Sequence, residues 1–282
     1  MKLNGKSRLI VLLLVLPAGA AAAADARVGR FAATFAEHHP LSKAEEMRKR
    51  MAATIDVVRS DGYTCDLSKE TYDVFVPQDY DPNEAYGVIV EVSPGDMGQP
   101  LFGRLDAELS RRRLICVAAQ RCGNGQNTYA RRIPLALDGL HNIQKLYRTD
   151  PKRIYVGGLS GGGIVSSVIA FHYSDVFTGG VFVIGALFWR PVVVPGKAGR
   201  VYPGFPTPKT EYLVEARNNG RYVLLTGEFD SNRKPMQAYY QYGYKPYLKN
   251  VLFIDVPGMK HEIPPPDVLL QALDYIDQPR KK

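Results

Sequence analysis

The chain has 282 residues, of which 45% are hydrophobic, 10% aromatic and 23% charged, and its formal net charge is +8. This composition excludes a disordered, collagen-like or polytopic membrane protein and is typical of a globular protein with a well-formed core. The basic residues are scattered apart from the tail 280–282, which argues against the clustered basic stripe of a nucleic-acid-binding protein.

Residues 1–24 are predicted to be a signal peptide. Three basic residues precede the uninterrupted apolar run 9–16, and the Ala-rich segment after it ends in an A-x-A cleavage site. The apolar stretch contains Pro17 and is shorter than the about 20 residues that span a bilayer, so a retained membrane anchor is the less favoured alternative. We therefore expect a secreted or periplasmic protein with no stable membrane insertion after signal removal.

Residues 25–69 are expected to form a peripheral N-terminal extension. Within it, Ser42 and Glu45 have the spacing of a capping box, which predicts a short helix ending near Met51.

The three cysteines, Cys65, Cys116 and Cys122, include no C-x-x-C pair, which argues against a structural zinc site. In an oxidising compartment the simplest arrangement is one disulfide and one buried thiol. Cys116 lies inside an apolar run, so our hypothesis pairs Cys65 with Cys122.

From residue 70 onward, short β-rich runs alternate with helical patterns. Continuous apolar strands that alternate with helices are typical of a mostly parallel sheet covered on both faces. The predicted fold class is therefore α/β, with one domain over residues 70–282 and an antiparallel edge formed by the two strands that precede the first helix. Strands are predicted at 72–76, 87–92, 114–119, 153–156, 181–184, 222–226 and 251–256, and helices at 105–112, 131–147, 164–173, 236–242 and 268–275.

A long connection near 186–220 separates two of these strands and is rich in proline and aromatic residues. Connections of this length in a compact domain are usually functional or disordered, and the aromatic content argues against disorder. We expect a lid-like insertion in which Phe188 and Trp189 contact the substrate. The tyrosines between 239 and 247 fit a binding surface or core packing equally well.

Gly158, Ser160 and Gly162 form a G-x-S-x-G pattern that is weak by itself. An apolar strand leads into it and a helix leads out, as a nucleophile elbow requires. The alternative is a phosphate-binding glycine-rich turn, but the pattern lacks the lysine of a Walker A loop and lies too late in the chain for a dinucleotide loop. Ser160 is therefore the predicted nucleophile.

A serine nucleophile needs a general base, and in this fold type the base is a histidine that follows the acid along the chain. The chain has five histidines. His38 and His39 lie in the N-terminal extension, and His141 and His172 lie in predicted helices. Only His261 follows a late strand, so it is the predicted base.

The acid should lie just beyond the strand 222–226, where Glu228 and Asp230 occur. We favour Asp230, with Glu228 as the rival. Asp255 is less plausible because it lies within a strand. Asp230 would accept a hydrogen bond from His261 and stabilise its imidazolium form.

Two backbone N–H groups are needed to bind the oxyanion of a tetrahedral intermediate. Gly161, directly after the nucleophile, is expected to supply one. The other is expected from the loop 93–98, where Pro94 has no N–H and the donor is therefore Gly95 or Asp96. We favour Asp96.

Together these motifs resemble those of α/β-hydrolases, and in particular those of the secreted esterases grouped with polyhydroxybutyrate depolymerases and feruloyl esterases. The resemblance implies Ser160 as nucleophile, Asp230 as acid and His261 as base, with no metal and no organic cofactor. The oxyanion loop has Pro94 before Gly95, where many relatives have His-Gly. The motifs that carry the resemblance are 93–95, 154–163, 227–230 and 258–261.

The resemblance implies a secreted serine hydrolase that cleaves a carboxylic ester, of small or polymeric substrates, through an acyl-enzyme. The same three side chains also serve serine peptidases, so peptide hydrolysis is the first alternative. The second is an exported binding protein that keeps a hydrolase scaffold without catalysis.

Overall fold

The structure is a computed structural model that describes residues 26–51, 65–196 and 200–278. The predicted signal peptide lies outside the described residues. Within the three described ranges, no helix is both long enough and apolar enough to cross a bilayer.

The described residues contain ten strands and eight α-helices. Each element predicted beyond residue 70 is present; three strands have the predicted ends, and the other elements have somewhat different ends. The strands are β1 (Gly29–Ala33), β2 (Tyr72–Val76), β3 (Tyr86–Val92), β4 (Leu114–Ala119), β5 (Thr149–Leu159), β6 (Gly179–Val183), β7 (Val192–Val193), β8 (Val201–Tyr202), β9 (Arg221–Gly227) and β10 (Val251–Val256). The helices are α1 (Ala44–Arg50), α2 (Asp106–Arg111), α3 (Ile133–Leu146), α4 (Gly161–His172), α5 (Thr210–Asn219), α6 (Arg233–Ala238), α7 (Lys245–Tyr247) and α8 (Pro266–Ile276).

Eight strands form one sheet in the order β1-β2-β4-β3-β5-β6-β9-β10. All neighbours from β4 through β10 run parallel, whereas β1 and β2 form an antiparallel edge. The prediction of a mostly parallel sheet with an antiparallel N-terminal edge is confirmed. The prediction that the second strand, β3, also belongs to that edge is wrong. It lies inside the sheet and is parallel to both β4 and β5.

Helices cover both faces of this sheet. Val88 and Val90 on β3 belong to the buried cluster that includes α3 and α4, whereas Ile89 belongs to the cluster that includes α2 and α8. Because successive side chains of a strand point to opposite faces, a buried strand between two helical layers is apolar at every position. This explains the continuous apolar runs in the sequence.

The N-terminal segment is part of this sheet and not a peripheral extension, because β1 pairs with β2 from Gly29 to Ala33. Its short, small-residue sequence, GRFAA, carried no strand signal. The predicted helix is present as α1, but Ser42 does not cap it. The Ser42 hydroxyl instead donates to the carboxylate of Asp138 on α3, at 2.6 Å, which fixes this segment to the helical layer.

The proposed Cys65–Cys122 disulfide is not formed in the structure. The Cys65 thiol donates to the Glu70 carboxylate at 3.0 Å, and the Arg131 guanidinium binds both oxygens of the same carboxylate. The Cys65 sulfur therefore contacts the Glu70–Arg131 ion pair. Cys116 is fully buried in β4, as expected.

The long connection after β6 contains the β7–β8 hairpin and helix α5. Helix α5 was not predicted because its sequence, TEYLVEARNN, has few apolar residues and buries only Ala216 fully. A lid role for this segment stays a prediction.

Glu91 near the end of β3 has a buried carboxylate that accepts the backbone N–H groups of Leu101 and Phe102, at 2.7 and 2.9 Å. These bonds anchor the turn that closes the loop 93–98. Burial raises the pKa of Glu91 to about 8, despite the two N–H donors.

We expect Glu91 to make stability depend on pH. The folded protein holds this proton more tightly than the unfolded chain, whose glutamate titrates near 4.5, so the associated stability is complete below that pH and is lost as pH rises through 8. The free energy of unfolding of the parent, relative to Glu91→Gln, should fall by up to about 4 kcal/mol between pH 5 and 9. Parallel profiles in urea titrations would contradict this expectation.

Candidate active site

Ser160 lies at the sharp turn between β5 and α4. Its backbone has φ 53° and ψ −120°, a conformation that is strained for a residue with a side chain. The Ser160 N–H donates to the Val183 carbonyl on β6 at 2.8 Å, which fixes the turn to the neighbouring strand. This is the backbone geometry of the nucleophile elbow that the sequence predicted.

Two glycines make this turn possible. A Cβ atom added at Gly158 or at Gly162 would overlap the carbonyl oxygen of Val92, the last residue of β3. Helix α4 can therefore begin directly above the end of β3 only if both positions lack a side chain.

Ser160, His261 and Asp230 form one hydrogen-bonded chain. The Ser160 Oγ lies 2.9 Å from His261 Nε2, and the Asp230 Oδ1 lies 2.7 Å from His261 Nδ1. The Asp230 side chain is fully buried, whereas the His261 side chain is 41% exposed. The structure thus brings together the three residues that the sequence singled out, with the carboxylate shielded and the histidine accessible from solvent.

The carboxylate of Asp230 is held by more than the histidine. Thr226 Oγ1 donates to Oδ2 at 2.8 Å, and the Asn232 N–H donates to Oδ1 at 3.0 Å. The rival, Glu228, accepts the Gly258 N–H at 2.9 Å and so supports the loop that carries the histidine. Asp255 pairs with Arg233 on α6.

The predicted oxyanion donors are the N–H groups of Gly161 and Asp96. Gly161 is the first residue of α4, where backbone N–H groups have no acceptor within the helix. In the loop 93–98, the Gly95 N–H donates to the hydroxyl of Ser93 at 3.1 Å, so it is already engaged. This engagement favours Asp96 over Gly95 as the second donor.

Sequence reasoning missed a buried cation beside this loop. Arg132 donates to the Ser93 carbonyl at 2.8 Å and to the Cys122 carbonyl at 2.9 Å. Burial lowers the pKa of this guanidinium, and its coulombic interaction and hydrogen bond with the Cys122 side chain oppose that shift. The sequence signal was weak because an arginine at the start of an amphipathic helix is ordinarily a surface residue.

Phe188 and Trp189 do not line a binding surface in the structure. Their side chains are 0% and 4% exposed, and their rings lie 3.9 Å apart in a cluster with Phe171 and Tyr244. The prediction that they contact substrate is therefore wrong for this conformation. Large aromatic side chains bury so much apolar area that packing outweighs exposure at a rim.

Among the described residues, no group of three or more His, Cys, Asp or Glu side chains has an arrangement that could hold a metal ion.

The strain at Ser160 predicts the relative stability of two variants at this position. Ser160→Gly removes the Cβ that clashes at φ 53°, whereas Ser160→Ala keeps it. At an ordinary position glycine is the less stable residue, but here the glycine variant should be more stable than the alanine variant by about 1 kcal/mol. Urea unfolding of the two variants measures this difference, and a more stable alanine variant would contradict the strain.

No family model matches the sequence, and no curated protein matches it. Solved structures match the fold. A ferulic acid esterase aligns with 16% identity over 89% of this chain and 98% of its own, with a TM-score of 0.56. The fluorophosphonate-binding serine hydrolase F of Staphylococcus aureus aligns with 12% identity over 74% and 93% of the two chains, with a TM-score of 0.55.

A third structure, the feruloyl esterase module from Clostridium thermocellum, aligns with 17% identity over 74% of this chain and 81% of its own, with a TM-score of 0.52. At these identities the similarity concerns the fold. The strand order, the elbow after β5 and these neighbours agree, and the chain has the α/β-hydrolase fold.

Proposed function

We propose that this protein is an exported serine hydrolase that cleaves a carboxylic ester through Ser160, His261 and Asp230. The observation that carries this proposal is the pair of hydrogen bonds from Ser160 Oγ to His261 Nε2 and from His261 Nδ1 to Asp230 Oδ1. A nucleophile, a base within hydrogen-bond reach and a third group that orients the base are the signature of nucleophilic catalysis.

In the first half-reaction, Ser160 Oγ attacks the ester carbonyl carbon while His261 Nε2 takes the hydroxyl proton. The resulting oxyanion accepts hydrogen bonds from the N–H groups of Gly161 and Asp96. When the intermediate collapses, the bond to the alcohol oxygen breaks, and His261 returns its proton to the departing alcohol. The product of this step is an acyl-enzyme on Ser160.

In the second half-reaction, a water molecule gives its proton to His261 and attacks the acyl carbonyl. The second tetrahedral intermediate collapses, the carboxylic acid leaves, and the proton returns to Ser160 Oγ. The buried carboxylate of Asp230 keeps the histidine in the tautomer that has Nε2 unprotonated, and it stabilises the imidazolium in both half-reactions.

Ester hydrolysis is favoured over the two alternatives. Several structural neighbours are esterases, which supports an ester as substrate. Among the residues that the structure describes, no contact specific to peptide hydrolysis occurs. An inactive binding scaffold would have no need of the hydrogen-bonded chain from Ser160 to Asp230 or of the strained elbow. Export rests on the predicted signal peptide 1–24.

We expect protein lacking residues 1–24 to hydrolyse p-nitrophenyl esters from acetyl to decanoyl, and we expect Ser160→Ala to reduce kcat at least about a thousandfold. Release of p-nitrophenol measures both, and the acyl length with the highest kcat/KM sizes the acyl pocket. Equal rates in the two proteins would exclude Ser160 as the nucleophile.

Isosteric substitutions distinguish which of Asp230 and Glu228 is the acid that orients His261. Asp230→Asn should lower kcat by about a hundredfold or more, because the amide no longer favours the tautomer that accepts the serine proton. Glu228→Gln keeps an oxygen that can accept the Gly258 N–H, so its kcat should stay within about threefold of the parent. A larger loss in Glu228→Gln than in Asp230→Asn would assign the acid to Glu228.

A further inference from the structure

A loop that the sequence did not single out borders the elbow. It follows β4, and two backbone hydrogen bonds join it to the loop 93–98: the Asn124 N–H donates to the Pro94 carbonyl at 2.9 Å, and the Arg121 N–H donates to the Asp96 carbonyl at 2.7 Å. The two loops therefore form one layered surface.

Close packing and a buried cation hold this surface together. A Cβ atom at Gly123 would come within 2.9 Å of the Gly95 backbone, so the two chains touch there. Arg132 then binds one carbonyl from each loop, those of Ser93 and Cys122. The Gly123 packing and the Arg132 hydrogen bonds together fix the position of Asn124 relative to the oxyanion loop.

The Asn124 side chain extends from this surface onto the elbow. A Cβ atom added at Gly161 would overlap Asn124 Oδ1 and would lie only 2.6 Å from Cγ and 2.8 Å from Nδ2. The carboxamide occupies the space where a side chain at position 161 would begin.

The Asn124 carboxamide is free to hydrogen-bond a ligand. Asn124 is exposed. Across the described ranges its amide makes no hydrogen bond to another residue. It has two N–H donors and one acceptor, and a ligand beside Gly161 would meet them directly.

The Gly161 N–H next to this carboxamide indicates which part of a ligand lies there. The N–H and the Cα of Gly161 are one bond apart, about 1.5 Å. Since the proposed function gives this N–H to the oxyanion, the Asn124 amide lies beside the ester carbonyl of a bound substrate. The first atoms that it reaches are those attached to either side of the ester group.

We propose that Asn124 is a specificity-determining residue whose Nδ2 donates a hydrogen bond to an oxygen atom carried close to the scissile carbonyl. The oxygen is an ether or hydroxyl oxygen on the acyl side or on the alcohol side of the ester. This inference rests on the proposed function and names the class of ester that the same site prefers.

When an ester without a suitable oxygen binds, its alkyl chain covers the Asn124 amide and removes it from water without a replacement hydrogen bond. A site built to donate a hydrogen bond therefore discriminates against the analogue that lacks the acceptor.

Isosteric ester pairs test the proposal on each side of the carbonyl. On the acyl side, p-nitrophenyl methoxyacetate differs from p-nitrophenyl butyrate by an ether oxygen in place of a methylene group. On the alcohol side, 2-methoxyethyl butyrate differs from butyl butyrate in the same way. The ratio of kcat/KM values within each pair is measured for the parent and for variants, so that intrinsic reactivity cancels when the ratios are compared.

The informative variant is Asn124→Leu, which keeps the size of the side chain and removes the donor. The matched control is Gln126→Leu, which removes an exposed amide from the same loop, whereas the atoms nearest to a Cβ at Gly161 all belong to Asn124. Thermal unfolding of both variants checks that the fold is retained.

We expect Asn124→Leu to reduce the preference for the ether-bearing ester about tenfold in one of the two pairs and Gln126→Leu to leave both ratios unchanged. The affected pair identifies the acyl or the alcohol side. If Asn124→Leu changes neither ratio by more than twofold, or slows all four esters equally, the proposal is overturned while the serine hydrolase stands. A parent without activity on any ester would overturn both.

Discussion

The active site depends on how closely the start of α4 approaches the end of β3. The Val92 carbonyl fills the space that side chains at Gly158 and Gly162 would need, so the helix can start there only with glycine at both positions. Ser160 adopts its strained turn at this approach, and the N–H of Gly161, the first residue of α4, has no acceptor within the helix. Because the oxyanion loop begins immediately after Val92, one packing contact positions both the proposed nucleophile and the proposed oxyanion donors.

The parallel sheet supplies the rest of the proposed machinery. The strands β5, β6, β9 and β10 are neighbours and all parallel, so their carboxyl ends lie at one edge of the sheet. The loops after β5, β9 and β10 carry Ser160, Asp230 and His261, and strand register brings these distant residues within hydrogen-bond distance. Burial then differs along the chain of hydrogen bonds, with the carboxylate enclosed and the histidine open to substrate and water.

The sequence predicted those features that a few neighbouring residues determine. Apolar runs and helical spacing indicated the central strands and helices, and the order of Ser160, Asp230 and His261 along the chain restricted the candidates to one histidine. It failed where distant packing decides. The strand β1 has no apolar pattern of its own and forms because β2 has an open edge. Phe188 and Trp189 are buried by an aromatic cluster drawn from several elements, and the Glu70–Arg131 ion pair that engages Cys65 joins residues 61 positions apart.

The oxyanion loop is held on each side by a buried polar side chain. Glu91 binds the turn after the loop through two N–H groups, and Arg132 binds its first carbonyl at Ser93. Pro94 has no N–H, and the Gly95 N–H is used within the loop, which favours Asp96 as the proposed backbone donor on that side. Two backbone N–H donors bind the carbonyl oxygen that every ester shares, so they provide no group that distinguishes one ester from another. The adjoining loop adds such a group, because Arg132 fixes it against the oxyanion loop and so holds the Asn124 amide beside Gly161.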